Sequence, residues 1–404
     1  PSLRLANFLQ LSHNMSVDVY VESVVSEARL VIVRLLGGVG YWPYGVERIA
    51  ETCRVAGIAL AMLPGDDQPD AELARLSTLP PEVYHRLWQF TVHGGGANAS
   101  NLLAYAATLI GRVVEWREPA PLLRAGLYWP GIAEPDLDGL RARWSAGAPV
   151  ASLVFYRALI QAGDLAPIDA MIESLQNAGL NPLPVYLHSL KEPVSAATVA
   201  QLFATVPPDV ILNATGFAVS TPGEKRRATP FDAVRCPVLQ LVFAGLTEDA
   251  WRAAPTGLAA RDIAMNIALP EVDGRVLARA VAFKSEARYD PATQTSVLSY
   301  RPVSDRVEFS ANLAAGWARL ARTKLADRRI AVVLANYPNR DGRLANGVGL
   351  DTPAGTIMLL RALDEAGWYV DNAPDDGRAL IELLQSGPTN VIEGSRTGGE
   401  ALSL

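Results

Sequence analysis

The residues best suited to chemistry lie in a few short stretches. "ALPEVDGR" (268–275) sets Glu271 two residues from Asp273 and beside Arg275. Two carboxylates this close in a turn can take protons or meet a metal ion; the structural alternative is an exposed acidic turn. "VHGGGANASN" (92–101) offers His93, Asn98 and Asn101 around three glycines that would let a ligand approach closely. Its alternative is a break between two helices, with Asn98 capping the second. "LSHNMSVDVY" (11–20) places His13 and Asn14 after an apolar run, or makes them an ordinary helix start. "VRLLGGVGYWPYGVERI" (33–49) brings Tyr41, Trp42 and Tyr44 together, either to pack on a flat ligand or to fill a core.

"NYPNRDGRLANGVGLDTPAG" (336–355) has the look of a phosphate cradle, with Asn336 and Asn346 among its polar residues. A P-loop ends in Gly-Lys-Ser/Thr, and this loop has no Lys. A dinucleotide fingerprint needs a third glycine, whereas Gly347-x-Gly349 runs into Asp351, Thr352 and Pro353. Asp351 would also set a negative charge where a phosphate belongs. Both nucleotide readings are rejected. What remains is a flexible turn, with Asp351 or Thr352 as N-cap and Pro353 at the first helical position. The four histidines, His13, His85, His93 and His188, form no paired zinc motif.

These stretches need elements to hold them. Apolar runs predict strands at 3–11, 29–36 and 58–63, then at 149–156, 183–188, 209–214 and 237–243, and again at 330–335. Helical spacing falls between them: 16–28 capped by Ser16, 44–56 closed by Gly57, 80–93, 98–111, 166–178 and 195–206. Gly94–Gly96 should separate two helices, since glycine is costly in a helix interior. This is the rhythm of parallel sheets covered on both faces. Residues 276–303 alternate apolar and polar around Asp290-Pro291, a hairpin signal. A helix at about 307–326 should bury Leu313, Trp317 and Leu320. The expected fold is α/β: several Rossmann- or flavodoxin-like parallel-sheet units with a β-hairpin insertion. Expected domains are 1–148, 149–260, a hairpin-and-helix connection at 261–326, and the opening of a third α/β domain at 327–404.

The chain has 404 residues, half of them hydrophobic and 19% charged, as expected for two or three globular domains. A net charge of −6 argues against nucleic acid or an anionic membrane as the main partner. Its apolar runs fall far short of the about 20 residues a membrane-spanning helix needs. Two cysteines give no disulfide framework and fit a reducing, cytoplasmic setting. The start has no Met and no signal-peptide pattern, and the last element lies near the end, so the chain is expected to be part of a longer one.

Taken in order, "HNMSVDVYVE", "VRLLGGVGYWPYGVE", "HGGGANASNLL", "GLYWPG", "LVFYRALIQAGDL", "DVILNATGFAVS", "ALPEVDGR", "FKSEARYD" and the 336–355 loop resemble a known family. It is that of the chelatase large subunits, of aerobic cobaltochelatase and of its relative, the porphyrin-binding H subunit of magnesium chelatase. "HSLKEPVS" and the complete "NRDGRLANGVGLDTPAG" resemble the cobalt branch more closely. The resemblance implies a subunit, more than twice this length, that binds tetrapyrrole and metal. Co²⁺ would be a substrate, inserted into hydrogenobyrinic acid a,c-diamide on the aerobic route to cobalamin. ATP and Mg²⁺ would be handled only by partner subunits, an AAA+ ATPase and an integrin-domain-type subunit. Within that reading Glu271 is the first choice for proton acceptor or transient metal ligand. His93 follows as a catalytic candidate and His13 as a metal candidate. Tyr41, Trp42 and Tyr44 suit the ring faces, and Arg34 or Arg157 suits a carboxylate. Asn14, Asn98, Asn101, Asn336 and Asn346 suit polar rims. The alternatives are a magnesium-branch subunit binding protoporphyrin IX and a non-catalytic α/β ligand-binding module.

Overall fold

The computed structural model describes residues 2–285, 288–335 and 344–386. The chain forms two compact units, Pro1–Ala318 and Arg319–Leu404.

In the first unit, β1 (Leu30–Leu35) pairs in parallel with β2 (Ala59–Pro64), Leu30 opposite Ala59 and Leu35 opposite Pro64. The helix Pro43–Ala56 joins them. Proline opens it, and Gly57 closes it in the left-handed region at φ 67°. Its Val46, Ile49 and Cys53 share one core with Val17, Val21 and Val25 from the preceding helix, which is spaced at four residues. That helix runs over Asn14–Tyr20 and continues as a π turn to Val25; it starts after His13, not at Ser16. Residues 3–11 are no strand. They hold only a 3₁₀ turn at Phe8–Gln10, with Leu3, Leu5 and Leu9 exposed. An apolar run becomes a strand only where a neighbour offers a ladder, and β1 and β2 pair with each other.

Helices Pro81–His93 and Gly95–Leu109 are divided by one glycine. A side chain at Gly94 would lie 2.8 Å from the backbone of Gln161, so this corner needs both its φ of 61° and its missing Cβ. Gly95 and Gly96 already belong to the second helix.

The larger sheet has the order β11-β8-β7-β6-β4-β5-β3. In chain order these are β3 (Ala125–Leu127), β4 (Val150–Tyr156), β5 (Asn181–Leu187), β6 (Val210–Asn213), β7 (Val238–Thr247) and β8 (Val276–Lys284). A small ribbon of β9 (Arg288–Asp290) and β10 (Thr295–Val297) turns at Asp290-Pro291, and β11 (Tyr300–Pro302) returns along β8. Strands β4 to β8 are parallel; β3 and β11 are antiparallel edges. The sheet thus takes strands from both sides of residues 148 and 260.

The long apolar runs follow from burial on both faces. Ala151, Leu153 and Phe155 point to helices Ala166–Asn177 and Ser304–Arg322, while Val154 points to helix Pro193–Thr205. Each fully buried large apolar side chain stabilises by about 1.5–3 kcal/mol. Helix Ser304–Arg322 buries Val307, Ala311, Ala314 and Ala318, and Trp317 and Leu320 stay exposed. Small residues at spacings of four and three let this helix lie close to the sheet, which bulkier side chains would hold away.

The second unit has helices Thr352–Glu365 and Gly377–Ser386. Asp351 is the N-cap of the first, accepting from Ala354 N–H at 3.0 Å, with proline in the first turn as expected. Residues 330–335 are irregular, with Ile330, Val332 and Val333 exposed, where a strand was expected. Among the described residues no strand of this unit pairs with them.

Candidate functional site

In the large sheet, the chain leaves β4 toward β5 on one side and places β6, β7 and β8 on the other. The switch point lies between β4 and β6, and the crevice beyond their carboxyl ends is where such sheets bind ligands. It is built from Tyr156 at the end of β4 and the loop Ala214–Ser220 after β6. The Tyr156 hydroxyl donates to the Gly216 carbonyl at 3.0 Å, and burial holds the phenol above its ordinary pKa.

This loop is pinned from below. The Thr215 carbonyl accepts from Asn213 Nδ2 (2.9 Å), Gln240 Nε2 (2.9 Å) and Arg275 Nη1 (3.4 Å). Asn213 Nδ2 also reaches Gln240 Oε1 at 2.8 Å, and Thr215 Oγ1 donates to Asn213 Oδ1 at 2.9 Å. All of these side chains are buried, so they bond to one another rather than to water.

The segment 260–275 lies against the loop. Phe217 N–H donates to the Met265 carbonyl at 2.7 Å. Further along, the Asp273 carboxylate accepts from Val219 N–H (2.7 Å), Ser220 N–H (3.0 Å) and Arg275 Nη2 (2.9 Å). Both side chains of this pair are essentially sealed from solvent. Burial acts to raise the Asp273 pKa, but the two N–H donors and Arg275 outweigh it and hold the carboxyl below its usual value. Burial pulls the Arg275 guanidinium down, and its Nε has no hydrogen-bond partner among the described residues. Asp273 is therefore an anchor of the loop, not a free acid of an exposed turn.

Glu271 differs from it. It sits on the short helix Leu269–Val272, between the Met265 and Asp273 contacts, with its side chain exposed. Its carboxylate has no hydrogen-bonding or ionic partner among the described residues. A carboxylate so placed is free to accept a proton or to join the ligand shell of an arriving cation.

A second polar group lies at the ends of β4 and β5. Arg157 is buried; its Nη2 donates to the Leu122 carbonyl at 2.9 Å and more weakly to that of Val92 at 3.5 Å, and its Nε is unpartnered among the described residues. Burial lowers its pKa. His93 ends its helix with Nδ1 accepting from Leu122 N–H at 3.1 Å, which assigns the ring proton to Nε2. Burial and then the Arg157 charge pull its pKa below 6.5. His93 is thus a neutral Nε2–H donor, and it takes a proton only by giving up the Leu122 contact. Nearby, Arg124 pairs with Asp67 at 2.7 Å.

The other expected site residues are spread over three places. Around the ends of β1 and β2, His13 and Asn14 are exposed at a helix start, and the Arg34 guanidinium donates to the Gly65 carbonyl at 2.7 Å. Of the aromatic trio, Tyr41 presents its ring, 61% exposed. Trp42 is buried, with Nε1 on the Leu11 carbonyl at 3.0 Å, and Tyr44 donates to Asp18 at 2.9 Å. Those two serve packing. Asn98 is buried, bonded to the Gly94 carbonyl and to both N–H and C=O of Ala120, each at 2.9 Å. Asn101 holds the Ala97 carbonyl (2.9 Å) and Arg117 N–H (2.7 Å). Both asparagines therefore dock the 117–120 segment onto their helix; Gly94, not Asn98, takes the cap position. Asn346 is exposed in the second unit, and Asn336 lies outside the described residues. Among the described residues no three His, Cys, Asp or Glu side chains cluster as a metal cage.

Reasoning from residue types missed Tyr156, Asn213, Gln240 and Phe217. The signal for Asn213 and Phe217 was a polar Asn-Ala-Thr-Gly-Phe run following a buried strand, which marks a loop at the sheet mouth; Tyr156 and Gln240 carried none.

The CobN/Magnesium Chelatase family model matches residues 88–402. The chain is 45% identical over 411 residues to the aerobic cobaltochelatase subunit CobN of a Sinorhizobium species, covering 100% of this chain and 32% of that protein. It is 45% identical over 394 residues to the CobN subunit of Pseudomonas aeruginosa, covering 97% and 31%. To the chloroplastic magnesium-chelatase subunit ChlH of Oryza sativa it is 27% identical over 354 residues, covering 80% and 24%. The catalytic subunit of cobaltochelatase from Mycobacterium tuberculosis superposes with a TM-score of 0.68 at 28% identity, over 92% of this chain and 30% of that one. The chain thus spans about a third of the length of the curated CobN relatives it matches. With 315 of its residues inside the family model and nearly half its positions shared with CobN, the chain belongs to the CobN/Magnesium Chelatase family.

Proposed function

We propose that the chain is a section of the tetrapyrrole- and metal-binding large subunit of an ATP-dependent cobaltochelatase, a ligase that forms nitrogen–metal bonds. Its substrates are Co²⁺ and hydrogenobyrinic acid a,c-diamide, in aerobic cobalamin biosynthesis. One observation carries this reading: identity to CobN is 45% over the whole chain, against 27% over 80% of it for the magnesium-chelatase subunit. ATP hydrolysis, with its Mg²⁺, belongs to separate AAA+ and integrin-domain-type subunits, in keeping with a 336–355 loop that lacks the P-loop Lys. A reducing, cytoplasmic setting fits two free thiols, Cys53 and Cys236, which burial pushes to about 11 and about 12. Among the described residues no helix is long and apolar enough to cross a membrane.

Insertion requires each ring N–H that becomes a metal ligand to lose its proton, and requires Co²⁺ to shed water. Glu271 suits both tasks; what supports this is that its carboxylate is exposed and has no ion-pair partner among the described residues. It accepts the ring proton, and beforehand its oxygen replaces a water on the ion. Arg34, Tyr41, His13 and Asn14 are exposed residues whose chemistry suits the acidic and amide edge of the macrocycle. Titrating the full chain with hydrogenobyrinic acid a,c-diamide and with protoporphyrin IX, followed by Trp quenching, tests the assignment. Tighter binding of the diamide is expected; binding of neither would remove the reading.

A further inference from the structure

The loop at the switch point contains a side chain in an unusual position. Phe217 adopts φ 60°, in the left-handed region that costs bulky residues and favours glycine. Phe217 is 46% exposed, although Thr215, Gly216, Ala218 and Ser220 around it are all buried. A strained conformation persists only where its surroundings overdetermine it. Here they do: three side-chain donors converge on the Thr215 carbonyl, Tyr156 holds that of Gly216, and Met265 takes the Phe217 N–H. At Gly216 a Cβ would meet Asn266 Oδ1 at 2.8 Å and the Met265 carbonyl at 3.1 Å, so a side chain there would crowd the segment that supports the loop. Packing alone does not explain the arrangement, because close to half of the residue is left in water.

We infer that Phe217 is a stacking platform, holding one face of the tetrapyrrole at the mouth between β4 and β6. The inference rests on the tetrapyrrole reading above and adds the surface that receives the ring. An apolar, conjugated macrocycle face is broad and flat, and a rigid aromatic presented outward offers matching area at low entropic cost. The loop's fixed backbone then sets the height of the ring plane above the sheet. Glu271, on the segment bonded to the same loop through Met265 and Asp273, is held in a fixed relation to that plane.

Glycine and asparagine both tolerate the left-handed region, so Phe217→Gly and Phe217→Asn remove the ring while suiting the backbone. Phe217→Tyr keeps it. In the full chain, affinity for hydrogenobyrinic acid a,c-diamide and for protoporphyrin IX is read by Trp quenching, with thermal melting alongside. The expected result is about tenfold weaker binding for the Gly and Asn variants, melting no lower than wild type, and a Tyr variant within about twofold. Wild-type affinity in either folded Gly or Asn variant would overturn the platform while leaving the chelatase reading standing. A wild-type chain that binds neither ring would overturn both.

Discussion

The Tyr156 hydroxyl reaches across the switch point to the carbonyl of Gly216, 3.0 Å away, and ties the ends of β4 and β6 together. This bond holds the loop that carries Phe217. Replacing Tyr156 with Phe removes the bond and little else. A loss of about 1 kcal/mol in unfolding free energy is expected by denaturant titration. Tetrapyrrole affinity should fall as well, since the platform loses one of its supports. Unchanged affinity would show that the loop needs no tether from β4.

Asp273 and Arg275 should report on acid stability. The folded carboxyl titrates below 3.8, so the unfolded chain binds its proton first as pH falls. The stabilisation is full above about pH 3.8 and is lost as pH drops through the lower folded value. Acid unfolding of wild type and Asp273→Asn tests this. The wild-type advantage should be constant from pH 7 down to about 4 and shrink below that. At neutral pH, Arg275→Leu leaves the buried carboxylate uncompensated and should cost about 3–5 kcal/mol.

Asn98 offers a contrast with the candidates for chemistry. Its amide makes three hydrogen bonds that dock Ala120 and Gly94. Asn98→Ala should lower stability by about 2 kcal/mol, seen as a lower melting temperature. Its effect on cobalt insertion should vanish at temperatures where the variant is fully folded.

Much of this fold is legible in the sequence, for reasons that differ by element. Strands β4 to β7 announce themselves because both faces are buried, which writes an unbroken apolar run. Gly57 and Pro43 mark their helix because backbone geometry admits few other residues. The runs at 3–11 and 330–335 look the same, but a strand also needs a partner, and composition does not reveal one. Helix Ser304–Arg322 misled because Trp317 draws attention while alanines do the packing. At the candidate site, Glu271 was legible as a residue type. The burial of Asp273 beside it was not, because its N–H donors come from residues 219 and 220, far away in sequence. Phe217 was illegible because nothing in a phenylalanine signals a positive φ.

Glu271 is the residue proposed to accept the ring proton. Glu271→Gln keeps shape and hydrogen-bonding capacity but cannot accept a ring proton. Its carboxylate makes no hydrogen bond or ion pair with the described residues, so the melting temperature should not change. Cobalt insertion should fall by about 100-fold or more while binding of hydrogenobyrinic acid a,c-diamide is retained. Loss of binding in parallel with insertion would instead make Glu271 a substrate contact.

The most direct test is metal insertion by a full-length subunit containing this chain, assayed with the proposed ATPase subunits and followed by the absorbance of the macrocycle. The expected result is ATP-dependent conversion of hydrogenobyrinic acid a,c-diamide to its cobalt complex, with no magnesium entering protoporphyrin IX. Magnesium insertion into protoporphyrin, or no insertion into either ring, would contradict it.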